Sequence, residues 1–245
     1  MAHRRRITGH HSIKMRITAI IPARGGSKRI PKKNIKTFAG KPMIAYAIEA
    51  AKETELFDRI IVSTDAKDIA DVALAYGAEV PFIRPESLSD DFTGTVPVLV
   101  HALSILKEQG FSADYFCCLY ATAPFLRGDY IKQGLTLLRE NSVTTVFSVT
   151  SFPSPVFRAL TLKENGRIEM VWPEYYHTRS QDLVEAYHDA GQFYWADTEK
   201  FLKEQMLFSK DSMPVILPRA MVQDIDTPED WEMAEKMYQL LHMRK

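Results

Sequence analysis

Residues 16–21 are almost continuously apolar, the pattern of a short strand buried on both faces. A loop rich in Gly, Lys and Pro follows to about Gly40. Pro42 then suits the first position of a helix that aligns Met43, Ala47, Ile48 and Ala51. Residues 59–62 predict a second strand, and Ser63-Thr64-Asp65 a cap opening a helix through Ala75. A third strand is expected at 80–83. Beyond the loop 84–92 come a helix at 95–108, a strand at 115–119, a helix at 129–139 and a strand at 144–149. This alternation predicts an α/β fold: a mostly parallel, Rossmann-like sheet with helices on both faces.

The pattern changes after residue 150. Pro153 and Pro155 interrupt the chain, and two apolar runs, 157–162 and 167–171, flank an Asn165-Gly166 turn, a hairpin signal. Residues 172–188 are aromatic and charged without a clear period, an excursion that ends in a return strand at 191–196. Thr227-Pro228-Glu229-Asp230 opens a terminal helix. The expected organisation is one domain, 15–245, with 151–188 as an inserted β-hairpin lobe. Residues 1–14 (MAHRRRITGHHSIK) have the composition of a disordered or added leader before Met15.

Charge changes this picture locally. The 31 Lys and Arg balance 31 Asp and Glu, which argues against nucleic-acid or membrane-surface partners. No apolar run approaches the roughly 20 residues of a membrane span. Yet the first 48 residues hold twelve of the cations and no acid. Without the leader, eight basic residues still crowd 15–41, so this region is suited to an anion. The two cysteines, Cys117 and Cys118, are adjacent and read as buried thiols in a reducing, cytoplasmic setting.

The cations sit in a loop directly after the first strand: Arg24-Gly25-Gly26-Ser27-Lys28-Arg29, then Pro31, Lys33 and Asn34. Glycines let backbone N–H groups approach a phosphate, and Arg and Lys supply charge and donors. In an open parallel sheet the ligand crevice lies at the strand C-termini, where this loop falls. It lacks the Walker A and G-x-G-x-x-G spacings. At the far end of the chain, Asp224 and Asp226 stand at i and i+2, so on extended backbone both point toward one hard cation such as Mg²⁺. The competing reading makes Asp226 a cap for the helix at Pro228.

The basic loop resembles the signature Ala-Arg-x-x-Ser-Lys-x-x-Pro-x-Lys-Asn of cytidylyltransferases that activate nonulosonic acids, with Arg29 in place of the usual Gly. Arg84-Pro85 followed by Asp91 and Thr95, Leu119-Tyr120-Ala-Thr122-Ala-Pro124, and Gly191 with Tyr194 are similar to further family motifs. Tyr120 stands where sialic-acid enzymes carry Gln, and Ala190 where they carry Asn. The form His188-Asp189-Ala-Gly-Gln-Phe-Tyr-Trp looks most like pseudaminic acid cytidylyltransferases. A structural role is expected for His188, since adjacent strand residues face opposite sides.

The resemblance implies transfer of CMP from CTP to the anomeric hydroxyl of a nonulosonic acid, for surface glycans or flagellin. Pseudaminic acid is favoured; sialic, legionaminic and Kdo acids are the alternatives. Lys33 and Arg24 would be catalytic, with Arg24, Gly25, Gly26, Ser27, Lys28, Asn34, Arg84 and Thr95 holding the nucleotide. Asp224 and Asp226 would hold Mg²⁺, and Tyr120, Arg179, Gln181, Gln192 and Tyr194 the sugar. The family's lobe implies a homodimer. A nucleic-acid-binding module built on the basic N-terminus is the rival of a different class, and it leaves the aspartate pair unexplained.

Overall fold

The computed structural model describes residues 15–243, so the leader expected at 1–14 lies outside them. The elements are β1 (Ile17–Pro22), β2 (Thr37–Phe38), β3 (Lys41–Pro42), α1 (Met43–Thr54), β4 (Arg59–Ser63), α2 (Lys67–Ala75), α3 (Thr95–Glu108) and β5 (Tyr115–Leu119). They continue with α4 (Gly128–Asn141), β6 (Thr145–Ser151), β7 (Leu160–Leu162), β8 (Ile168–Met170), β9 (Tyr187–Asp197), α5 (Thr198–Glu204), β10 (Ser212–Ile216) and α6 (Pro228–His242).

Strand periodicity sorts the apolar residues into two layers. Ile17, Ala19 and Ile21 of β1, Cys117 and Leu119 of β5, and Phe193 and Trp195 of β9 meet Ile44, Ala47 and Ile48 of α1 and Ile131, Leu135 and Leu138 of α4. Their neighbours Ile20, Phe116, Cys118, Tyr194 and Ala196 face the other way, onto Leu99, Ala102 and Leu103 of α3 and Phe201 of α5. A third cluster joins Ile30, Phe38 and Met43 to Trp231 and Ala234 of α6. The terminal helix therefore packs on the loop that follows β1. Its N-terminus is a capping box: the Thr227 side chain accepts from Asp230 N–H while Asp230 accepts from Thr227 N–H.

The six-stranded sheet runs β10-β6-β9-β5-β1-β4. β4, β1 and β5 are parallel, β9 runs antiparallel to both β5 and β6, and β10 is parallel to β6. The mostly parallel α/β sheet expected from the sequence is thus present, with one reversed strand near its middle. That reversal carries the first half of β9 toward the C-terminal ends of β1 and β5.

Four local expectations are corrected. Residues 80–83 form no strand: only the isolated bridges Ile61↔Glu79 and Thr64↔Ile83 occur, and Pro81 between them has no N–H to extend a ladder. α2 begins at Lys67, not at Ser63-Thr64-Asp65, because the Asp65 carboxylate accepts a hydrogen bond from Gly25 N–H instead. Pro42 precedes the first helical residue as the cap of α1, its fixed φ serving the turn from β3. In the 151–188 segment, the hairpin falls at β7 and β8 around Asn165-Gly166, and the return strand starts earlier than expected, at Tyr187.

Candidate active site

A cavity of about 330 Å³ opens at the C-terminal ends of β1 and β5. Arg24, Ser27, Lys28, Arg29, Ile30, Lys33 and Asn34 line it from the loop after β1. Thr95 at the start of α3, Tyr120 to Thr122 after β5, and Asp226 complete it. Cations dominate this wall, the composition of an anion site.

The loop is held from inside. Gly25 N–H donates to Asp65 Oδ1 at 2.9 Å, and a Cβ on Gly25 would stand 2.8 Å from Ala66 Cβ, so this close approach requires glycine. Buried Asn34 donates to the Arg24 carbonyl at 2.9 Å, tying the loop's two ends together. Lys32 adopts a left-handed φ of 53°, and the turn around it sends consecutive lysines apart. Lys32 faces solvent and pairs with Asp68, while Lys33 points inward, its side chain 19% exposed.

Two carboxylates hold the cavity's cations. Asp91 accepts from Arg24 at 2.6 Å and also from Lys28 Nζ; these two donors pull its pKa below the usual carboxylate value. Asp226 pairs with Arg29 at 2.9 Å and with Lys33 at 3.3 Å, and Lys33 also donates to the Ile225 carbonyl at 2.7 Å. Asp91 and Asp226 thus offset only part of the charge of Arg24, Lys28, Arg29 and Lys33, and the bare site keeps a cationic excess.

At the Tyr120 wall, Thr95 Oγ1 and Tyr120 Oη are 2.9 Å apart, and the Tyr120 ring lies 5.2 Å from that of Tyr194. Burial raises the pKa of both phenols, keeping them protonated.

Other expected site residues lie further off. Arg84 is buried, donating to Ser89 Oγ at 3.1 Å with Asp65 3.8 Å away; burial lowers its pKa, as does the Arg24 charge, against the pull of Asp65. Gln192 is buried and donates to the Met221 carbonyl at 2.5 Å. Arg179 pairs with Asp182 at 2.7 Å in the 151–188 segment, where Gln181 is also exposed, and neither lines the cavity. Asp224 is exposed and outside the lining, whereas Asp226 is part of it. His188 Nδ1 donates to the Asp189 carbonyl, 2.8 Å away, and the ring packs on Phe152, a structural placement.

Arg29 and Asp65 carry more of the site than their sequence context suggested. Arg29 looked like a departure from a pattern, and Asp65 like a helix cap. The available signal for Asp65 was a carboxylate directly after a parallel strand, at the end where such sheets bind ligands.

The family model described as cytidylyltransferase matches residues 18–244. The chain belongs to this cytidylyltransferase family. It is 45% identical over 228 residues to the pseudaminic acid cytidylyltransferase of Campylobacter jejuni, covering 93% of this chain and 98% of that protein. It is 34% identical to the CMP-N,N'-diacetyllegionaminic acid synthase of Legionella pneumophila, covering 92% and 97%. A solved CMP:2-keto-3-deoxy-manno-octonic acid synthetase complexed with CTP shares the fold at a TM-score of 0.66 and 17% identity, covering 92% of this chain and 99% of that one.

Proposed function

We propose that this cytidylyltransferase transfers CMP from CTP to the anomeric hydroxyl of pseudaminic acid and releases pyrophosphate. The observation that carries the reading is the cavity that gathers Arg24, Ser27, Lys28 and Lys33 opposite Asp226, in a chain 45% identical to a pseudaminic acid cytidylyltransferase across nearly its whole length. The bond formed joins the anomeric oxygen to the α-phosphorus; the bond broken joins that phosphorus to the β-phosphate oxygen. The hydroxyl proton leaves to water.

Negative charge grows on the phosphoryl oxygens in such a transfer, so fixed cations lower the barrier most. Lys33 and Arg24 are assigned to the α-phosphate. Ser27 with the Gly25-Gly26 backbone, and Lys28, take the β- and γ-phosphates. Asn34 keeps the loop closed, and Arg84 backs it from beneath through Asp65. Tyr120 and Thr95 form the wall against which substrate lies.

Among the described residues no group of three or more His, Cys, Asp and Glu side chains is placed to hold a metal. The one carboxylate in the cavity lining, Asp226, still fits Mg²⁺, which in phosphoryl chemistry takes one or two carboxylates and fills its shell with phosphate and water. Asp226 in the cavity, with Asp224 two residues before it, would hold the ion. When bound, Mg²⁺ neutralises phosphate charge and favours departure of pyrophosphate.

The 151–188 lobe is assigned to dimerisation, with Arg179 and Gln181 reaching a neighbour's sugar site. Its exposed Leu160, Leu162, Ile168 and Val184 support that reading. Light scattering at micromolar concentration is expected to give twice the chain mass; a monomer contradicts the assignment. No helix among the described residues is long and apolar enough to cross a membrane, and a cytoplasmic location is proposed, where CTP is made.

The reaction itself is tested by supplying CTP and Mg²⁺ with pseudaminic, legionaminic, sialic and Kdo acids and following pyrophosphate. The expected kcat/KM for pseudaminic acid exceeds the others by about tenfold or more, the scale of one well-placed polar contact. Equal turnover of sialic acid overturns the choice of sugar. No pyrophosphate with any of the four overturns the reaction.

A further inference from the structure

Asp226 is held in place by its backbone. Its N–H donates to Asp230 Oδ2 at 3.1 Å, an extension of the capping box of α6. The residue before it, Ile225, is buried in the cluster that contains Ile30 of the loop after β1. The carboxylate thus reaches the cavity at a fixed point, and its two oxygens are divided between two cations. Oδ1 lies 3.3 Å from Lys33 Nζ, and Oδ2 lies 2.9 Å from a terminal nitrogen of Arg29.

The two cations are not held alike. The Lys33 side chain is 19% exposed and also donates to the Ile225 carbonyl at 2.7 Å, so it keeps its place without the carboxylate. The Arg29 side chain lines the same cavity but is 66% exposed. An exposed ion pair adds little to stability, so Arg29 is redirected at small cost.

Arg29 and a divalent cation compete for the same carboxylate. A hard cation binds its oxygens and repels a guanidinium a few ångströms away. A guanidinium, planar with five N–H donors, fits phosphate oxygens as well as it fits a carboxylate. We infer that Arg29 is a further phosphate-binding residue, kept on Asp226 until that carboxylate takes a divalent cation and then transferred to the β- and γ-phosphates. The exchange makes the grip of Arg29 on the triphosphate depend on the cation, so each tightens the other. This rests on the reading that the cavity takes CTP with Mg²⁺ at Asp226. A permanent Arg29–Asp226 pair that never meets phosphate is the competing arrangement.

The test is equilibrium binding to the full chain, without sugar acid so that no turnover occurs. Calorimetry follows inorganic tripolyphosphate and CTP, in EDTA and in saturating Mg²⁺, for wild type, Arg29→Gln, Asp226→Asn and the double variant. Arg29→Gln is expected to weaken tripolyphosphate binding about tenfold or more in Mg²⁺, the scale of a lost charge-assisted hydrogen bond. In EDTA the loss should be about twofold or less. In the Asp226→Asn background it should reach about tenfold in EDTA as well, because an amide holds a guanidinium far less strongly than a carboxylate does. Mg²⁺ lowers the charge of a polyphosphate, so a cation acting only through its field matters less in Mg²⁺. Lys28→Gln, whose lysine pairs with Asp91, should follow that opposite course. An Arg29→Gln loss that is equal in all three conditions, or absent in Mg²⁺, overturns the proposal.

A second arm uses Mn²⁺ alone, read by electron paramagnetic resonance. Arg29→Gln should tighten Mn²⁺ about twofold to fivefold, the worth of an exposed ion pair, and Asp226→Asn should abolish that gain. Unchanged Mn²⁺ affinity overturns the exchange. A wild type that binds tripolyphosphate but not CTP refutes the nucleotide reading alone, and both arms still decide. A wild type that binds neither overturns both.

Discussion

Lys33→Ala is expected to lower kcat for pyrophosphate release by about 10²–10³-fold, the usual cost of removing one fixed donor that faces developing charge. Lys33 is suited to this role by its position. The left-handed turn at Lys32 aims it into the cavity, and its ammonium is already held between the Ile225 carbonyl and Asp226. It therefore needs little rearrangement to meet a phosphoryl oxygen. The KM for CTP should rise much less, because Arg24, Ser27 and Lys28, the residues proposed to hold the nucleotide, still line the cavity. Asp226 keeps its pairing with Arg29, so unfolding temperature should hold. Steady-state kinetics and calorimetry check both parts. Near-normal turnover by a folded Lys33→Ala protein removes Lys33 from the chemistry.

Gly134→Ala is expected to destabilise the protein by about 1–3 kcal/mol, the scale of overpacking a tight core. The sign is the point of interest. In an exposed helix interior the same change stabilises by about 1 kcal/mol. In α4, however, the new Cβ would stand 2.5 Å from Trp195 Cδ1 and 3.1 Å from Phe193 Cε2. Trp195 cannot swing aside: its Nε1 donates to the Ile131 carbonyl at 2.9 Å and its ring stacks on Phe57. The unfolding temperature should drop by roughly 2–4 °C for each kcal/mol in a chain of this size. A rise would mean that α4 does not approach β9 this closely. Because Tyr194 lies between Phe193 and Trp195 on β9, a shifted strand should also move its ring against Tyr120.

Much of the fold was legible where one period dominates. The helix expected at 95–108 and the strand at 115–119 have the bounds observed, since both are strongly apolar and bracketed by Gly or polar residues. β10 escaped because Pro214 lies in its middle; as an edge strand paired only with β6, it tolerates a missing N–H. α5 is only seven residues long, too short for a helical period to show.

In the candidate site, the basic loop was legible because glycine, charge and position after β1 coincide. Its counter-charges were not: Asp91 and Asp226 meet those cations across 67 and 193 residues. Arg84 was expected to face the crevice, but Asp65 and Ser89 keep it in the layer beneath. The 2.5 Å hydrogen bond from Tyr194 to Asp189 was hidden by strand alternation, which places such residues on opposite faces until a bulge intervenes.

The position of β9 has a further consequence, for biosynthesis. This strand is drawn from residues 187–197, yet it is inserted between β5 and β6, which leave the ribosome much earlier. At about 5–20 residues per second, β5 waits on the order of ten seconds for its partner. During that interval Phe116, Cys117 and Cys118 border an open, apolar strand edge, the kind that pairs with other chains. Nascent copies on one polysome are therefore most exposed to mispairing before residue 197 emerges. Arrival of the aromatic run Phe193-Tyr194-Trp195 closes both edges at once and sets the Tyr194 ring against Tyr120 in the same step.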